Sequence, residues 1–286
     1  MSIWWPQVVT LGGVLLDVSD GSSLRASGDL PGWDDAADIR NGLTPKAQQD
    51  GVWDGTGFSD AHVVTVSGFV QEATPQAAYA VLRAMQALRP QSIHEFVVVN
   101  AAIGTLSALV RVTVGVKPVW SGDCAFEYSI TVTAPDPLKY GPATYATATL
   151  SASTPGAGRV WPRVWPTDWG IPAGVTPGAV AVANAGTAAY WPRLRIDGPS
   201  LNPAVSMVET GAWVRYGASL LAGQWLDLDM AARRVLLNGQ VSVRQFVTSS
   251  GDWLAVPPGG GSITWTDDGG SSAALLSVFG SEGAWS

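Results

Sequence analysis

The 286-residue chain holds one cysteine and two histidines. A single thiol excludes an internal disulfide, and with so few imidazoles a zinc site is not expected. Cys124 is read as a small buried hydrophobe in a chain suited to a reducing compartment. Charge is also scarce: charged residues make up 14% and hydrophobic ones 47%, against roughly 25% charged in ordinary soluble domains. A surface with so few charges is expected to be covered in part by other subunits. The apolar excess does not make a membrane span, because no run of about 18 or more apolar residues is free of proline, glycine and charge. Ala173 to Pro192 comes nearest, and it is rich in Ala, Gly and Thr and broken by prolines. The opening MSIWWPQVV lacks the basic region and apolar core of a secretory signal, so the protein is expected to stay where it is translated.

The net charge of −7 argues against a general nucleic-acid-binding surface, which needs clustered Lys and Arg to displace phosphate counterions. The acidity is local. Residues 1–140 hold 14 acidic and 8 basic side chains, whereas 141–286 hold 9 and 8. The stretch 17–60 alone has nine Asp against Arg25, Arg40 and Lys46. A solvated loop is the plain reading of such a run.

What the chain does have is the period of two that gives a strand one buried and one wet face. In WLDLDMAARRVLLNG, Leu226 and Leu228 alternate with Asp227 and Asp229, and Asn238-Gly239 offers the two positive-φ positions of a type I′ hairpin before Val241 and Val243. Similar runs occur at Leu194 to Asp197, Ala212 to Tyr216, Trp253 to Val256, Ile263 to Thr266 and Leu275 to Phe279. Turn signals such as Thr210-Gly211 and Asp267-Asp268-Gly269-Gly270 separate them. Short strands at this spacing, with no helical pattern between them, predict a β-sandwich for the second half.

The first half begins with a predicted hairpin, Val8 to Leu11 and Val14 to Val18 about Gly12-Gly13. Gly21 to Asp60 reads as a long polar loop carrying Trp33, Trp53 and Phe58; loops of that length are usually functional or ordered by a partner. His62 to Val70 reads as a strand. Thr74-Pro75 then opens the one convincing helix, with Thr as N-cap and Ala78, Val81, Leu82, Met85 and Leu88 on one face. Glu95 to Asn100, Leu106 to Val116 and Ala125 to Thr133 are three further strands, so this half is predicted as an antiparallel sheet or sandwich with one packed helix. Ala134-Pro135-Asp136-Pro137 cannot continue a strand. The expected division is therefore 1–140 and 141–286, the second part starting with a strand at Tyr145 to Leu150 and a passage holding Trp161, Trp165 and Trp169.

No catalytic constellation emerges, and no cofactor or metal is expected. A Ser-His-Asp arrangement would need His62 or His94, but both sit at the start of β runs and neither lies near a nucleophile elbow. Each is read as structural or as a surface residue. Asp227 and Asp229 have the residue type for sugar hydrolysis, yet two positions apart on a strand they share the wet face of a sheet. Asp54 to Asp60 lacks the spacing and terminal Glu of a calcium loop. The 14 Trp residues fit either packing and interfaces or stacking on sugar rings.

Three successive segments, VAVANAGTAAYWPRLRIDGPSLNPAV, GASLLAGQWLDLDMAARRVLLNG and SGDWLAVPPGGGSITW, together resemble the galectin-like domain of distal tail proteins of long-tailed bacteriophages, especially the minor tail proteins of actinobacteriophages. VVTVSGFVQEATPQAAYAVLRAMQAL and APDPLKYG in the first half resemble the same family's tail-tube-like belt domain. The resemblance implies a structural virion protein with no enzymatic step. It implies a ring, usually of six copies, that joins the tail tube protein to the tail tip or baseplate hub and leaves a channel for DNA, the virion protein being synthesised in the host cytoplasm. Trp33, Trp53, Phe58, Asp34, Asp35 and Asp38 in the long loop are the expected interaction residues. The competing expectation is a module that binds a host receptor or cell-wall glycan.

Overall fold

The computed structural model describes residues 7–19, 23–27, 30–149, 178–269 and 273–286. The chain divides into two units, Met1–Pro142 and Ala143–Trp285. Both are built from antiparallel strands, and the fold is mainly β. Trp161, Trp165 and Trp169 fall outside the described residues.

In unit 1 the strands are β1 (Gln7–Leu11), β2 (Val14–Leu15), β3 (Val18–Ser19), β4 (Leu24–Ser27), β5 (Ile39–Arg40), β6 (Thr44–Pro45), β7 (Val52–Trp53), β8 (Phe58–Ser59), β9 (His62–Gln71), β10 (His94–Asn100), β11 (Gly104–Trp120), β12 (Ala125–Ala134) and β13 (Lys139–Tyr140). The main sheet runs β2-β1-β10-β11-β12-β9-β4-β3. Gly12 and Gly13 both take positive φ, 56° and 82°, which suits the hairpin between β1 and β2. The 17-residue β11 pairs with β10 along its first part and with β12 along its second. Register shifts at Val112/Val114 and Val114/Lys117 mark bulges, and bulges bend and twist a strand.

Alternation sends Phe96, Val98, Leu106, Ala108, Val110, Phe126, Ile130 and Val132 into the core. The helix α1 (Pro75–Gln86) covers that face with Ala78, Val81, Leu82 and Met85. Its N-cap is Thr74, whose hydroxyl accepts a hydrogen bond from the Ala77 amide at 3.2 Å, supplying one of the donors a helix start leaves unpaired. The other face of β9 and β12 carries hydroxyls, with Thr65 opposite Thr131 and Ser67 opposite Ser129.

Unit 2 contains β14 (Ala143–Thr149), β15 (Gly178–Val182), β16 (Arg193–Asp197), β17 (Ser200–Leu201), β18 (Ala204–Met207), β19 (Trp213–Tyr216), β20 (Ser219–Leu220), β21 (Trp225–Asp229), β22 (Arg234–Leu237), β23 (Val241–Ser242), β24 (Val247–Ser249), β25 (Gly261–Thr266) and β26 (Leu275–Ser281). One sheet has the order β14-β26-β16-β21-β22-β23 and the other β15-β25-β18-β19-β24. Leu194, Ile196, Leu226, Leu228, Val235, Leu276 and Val278 from the first are buried, as are Val180, Val205, Met207, Val214, Ile263 and Trp265 from the second. Two antiparallel sheets sharing a core make a β-sandwich. Asn238 and Gly239 take φ of 52° and 70°, the signs that a type I′ turn requires.

Two expectations fail here. Trp253 to Val256 is not a strand: only Val256 pairs, with Tyr190, in an isolated bridge, and the rest is buried loop. Cys124 is half-buried; it sits in the turn between β11 and β12, where its carbonyl accepts from the Glu72 amide at 2.9 Å.

Candidate functional site

The stretch expected to be a long loop contains a two-stranded arm. Ile39 pairs with Ser59, Arg40 with Phe58, Thr44 with Trp53 and Pro45 with Val52. The Asp60 amide donates to the Asp38 carbonyl at 2.7 Å at the root, and the Lys46 amide to the Gly51 carbonyl at 3.2 Å near the tip. Between the paired stretches Gly55 lies so close to the Gly42 backbone that a Cβ would collide with it, so the two chains approach through glycine. An isolated two-stranded ribbon is marginal in water, yet this one exposes large apolar groups. Ile39 is 72% exposed, Trp53 64% and Phe58 57%, and Leu43 and Val52 are also exposed. The Arg40 guanidinium lies 6.0 Å from the Phe58 ring and the Lys46 ammonium 5.0 Å from Trp53. Such exposed cation–π pairs contribute about 0.5–1 kcal/mol each, too little to account for a bare apolar ribbon.

Trp53 and Phe58 therefore stand on the arm. Trp33 does not: it is 2% exposed, packed edge-on against Phe96 with ring centroids 5.1 Å apart and with the Lys139 ammonium 5.4 Å from its ring. An indole held inside the unit cannot meet a partner, so Trp33 is a core residue and not part of the exposed surface. Asp34, Asp35 and Asp38 are exposed at the root of the arm. A cleft of about 200 Å³ there is lined by Gly32, Asp35, Asp38, His62 and Val63 among others. Burial lowers the His62 pKa below its usual value, with Lys139 adding to the shift and Asp35 and Asp38 opposing it. Burial likewise lowers Lys139, against Asp34 and Asp35. Of the nine Asp in the stretch, Asp17 is committed internally, accepting from the Val9 and Ser27 amides at 2.9 and 2.7 Å. Asp20 and Asp29 lie outside the described residues.

Sequence reading missed Ile39, Leu43 and Val52. Their signal was faint, isolated apolar residues scattered on either side of Asp50-Gly51 in a segment rich in Gly and Asp. The chemistry available here is association. Among the described residues no group of three or more His, Cys, Asp or Glu could hold a metal ion, and no helix is long and apolar enough to cross a membrane. Asp227 is held by the Arg193 guanidinium through two hydrogen bonds, and Asp229 lies 3.5 Å from Arg234.

The class of protein follows from comparison. Residues 185–276 match the family model of the siphovirus-type tail component, C-terminal domain, so this part of the second unit is similar to a phage tail domain. No curated protein matches the sequence. The fold of the whole chain is that of SPP1 Dit (gp 19.1), whose structure is described as a paradigm of the hub adsorption apparatus in phages infecting Gram-positive hosts. The TM-score is 0.60 at 13% identity, covering 98% of this chain and 99% of that one. A chain of the phage P2 baseplate in its activated conformation with Ca is similar at TM-score 0.50 and 8% identity, covering 97% and 99%. The tail-domain match and the Dit fold together support a distal tail protein of a siphophage.

Proposed function

We propose that this protein is a structural adaptor of the distal tail, located in the virion, that assembles with copies of itself into a ring, six by analogy with the family it resembles. The ring joins the tail tube protein to the tail tip or baseplate hub and leaves a channel for DNA, with no enzymatic step. The observation that carries self-assembly is the arm from Asp38 to Asp60. Exposed apolar surface on that scale marks an interaction site, and a second copy of the chain is always at hand. The main sheet adds an edge only partly closed by ladder pairing: β9 is paired with β12 along its length, β4 pairs with its Gly68 to Gln71 end, and beyond that the Thr65 amide donates to the Pro31 carbonyl at 2.9 Å. Strand edges left open in one copy are blunted when neighbours close over them. The hydroxyl face of β9 and β12 presents Thr65, Ser67, Ser129 and Thr131, with Lys117 of β11 beside Ser129 as a cation on that face, and the arm root is acidic. The acidic surface would let DNA pass without adhering, since adhesion needs cations against phosphate.

Light scattering on the purified chain, with symmetry-resolved imaging of whole tails, tests this reading. The expected result is a closed ring near six times the 29.8 kDa chain mass, seated between tube and tip. A monomer in solution together with a solitary spike in the virion would overturn it.

A further inference from the structure

Unit 2 contains an open cleft of about 390 Å³, within the size range of small-molecule sites. One wall carries Trp191, 47% exposed. Its backbone is fixed by the neighbouring bridge, in which the Tyr190 amide donates to the Val256 carbonyl at 3.1 Å and the Val256 amide returns a bond at 2.7 Å. The buried ring of Trp253 backs the cleft and is braced by the Arg244 guanidinium 5.0 Å from its centroid. Two opposite charges, Arg233 and Asp252, also line it. They do not pair with each other, and among the described residues neither side chain has an ion-pair partner. Arg233 is held in place by a tight turn: its φ is 50°, and the Asp229 carboxylate caps the turn by accepting from the Ala232 amide at 2.9 Å. The Ser250 hydroxyl fixes the opposite loop, accepting from the Trp213 amide and donating to the Asp252 carbonyl, both at 3.1 Å.

We infer that this cleft binds a neutral saccharide ring, giving the protein a binding activity separate from self-assembly. An exposed indole offers a flat apolar face to the C–H side of a pyranose. A carboxylate accepts hydrogen bonds from two vicinal hydroxyls, and a guanidinium donates several. The same set favours a neutral ligand: Arg233 and Asp252 offset one another, so neither a phosphate nor a cation gains from the pair, and the volume is too small for a folded partner. The backbone that carries Arg233 and Asp252 is fixed by its turns, so binding has to order only their side chains.

The test uses the full-length chain on an array of defined neutral and acidic oligosaccharides, followed by calorimetric titration of those retained. At least one neutral oligosaccharide should bind with a Kd of roughly 10 μM to 1 mM, the ordinary range for a small polar site. Trp191→Ala and Asp252→Asn should each weaken it about tenfold or more, a loss of ~1.4 kcal/mol or more. Trp213→Ala, whose indole does not line the cleft, should leave binding unchanged, with circular dichroism reporting an intact fold in all three. Absence of any retained oligosaccharide, or binding that survives in both Trp191→Ala and Asp252→Asn, overturns the inference. Light scattering on the same samples reads the ring independently, so failure of one proposal is distinguishable from failure of the other.

Discussion

Asn184 offers the sharpest test of what holds unit 2 together. Its side chain is buried and uses its full set of amide donors and acceptors. The NH2 group donates to the Ala188 carbonyl at 2.8 Å and the Val256 carbonyl at 3.0 Å, while its oxygen accepts from the Gly186 and Ala284 amides, each at 3.1 Å. One side chain thus ties a loop, the Tyr190–Val256 bridge and the end of the chain. Asn184→Ala takes the partner from the Ala188 carbonyl and the Gly186 and Ala284 amides, and leaves the Val256 carbonyl with only the Tyr190 amide. A net hydrogen bond is worth ~1 kcal/mol and a buried group left unpaired costs ~1–3 kcal/mol, so the loss should reach about 2–4 kcal/mol even where water enters the gap. For a folding unit of this size each kcal/mol lowers Tm by roughly 2–4 °C. Calorimetry should therefore show the unit 2 transition falling by roughly 5–15 °C while that of unit 1 stays in place. Asn184→Asp separates hydrogen bonding from shape: it fills the same volume but sets an anionic oxygen against two carbonyls, so it should be as damaging at neutral pH and partly recover in acid. A loss below about 1 kcal/mol for Asn184→Ala would refute the reasoning.

The remaining predictions concern the arm, the core and pH. Trp53→Ser with Phe58→Ser should abolish assembly in light scattering while leaving unfolding within about 0.5 kcal/mol of the parent, as for surface changes generally; a ring of unchanged size would count against the arm. Leu226→Ala, in a fully buried position, should destabilise unit 2 by about 2–5 kcal/mol in urea titration. Gly32→Ala should cost unit 1 more than Gly13→Ala: both have positive φ, but only at Gly32 would the added Cβ run into a backbone carbonyl, that of Val63. His62 has a lowered pKa in the fold, so the unfolded chain binds the proton first as pH drops. Its contribution is present above the ordinary value near 6.5 and is lost as pH falls through and below it. His62→Gln should flatten that part of a stability–pH curve.

Much of the fold was legible because local chemistry and tertiary packing agree in it. Thr74-Pro75 starts the helix, Asn238-Gly239 makes its turn, and strands such as β12 and β21 keep a strict alternation of buried and wet residues. The helix face nevertheless misled by one position, since Leu88 is buried but lies beyond the last helical residue, Gln86. The arm was not legible because its strands are two residues long. Such strands are fixed by cross-strand pairing, and no period can be read from two positions. Trp33 shows the other limit. A tryptophan among Asp and Gly looks exposed in sequence, whereas its burial depends on Phe96, a residue more than sixty positions away. The unit 2 cleft gave no signal, because Trp191, Arg233 and Asp252 come from three separate connections between strands.

The long strand β11 belongs to both halves of the unit 1 sheet. Halves that share a continuous backbone cannot slide past one another as separate plates, so torque applied to one is passed covalently to the other. The compliant place is where the ladder is already interrupted, between Val112 and Lys117; any flexing of this sheet under load should concentrate there and leave the register on either side intact.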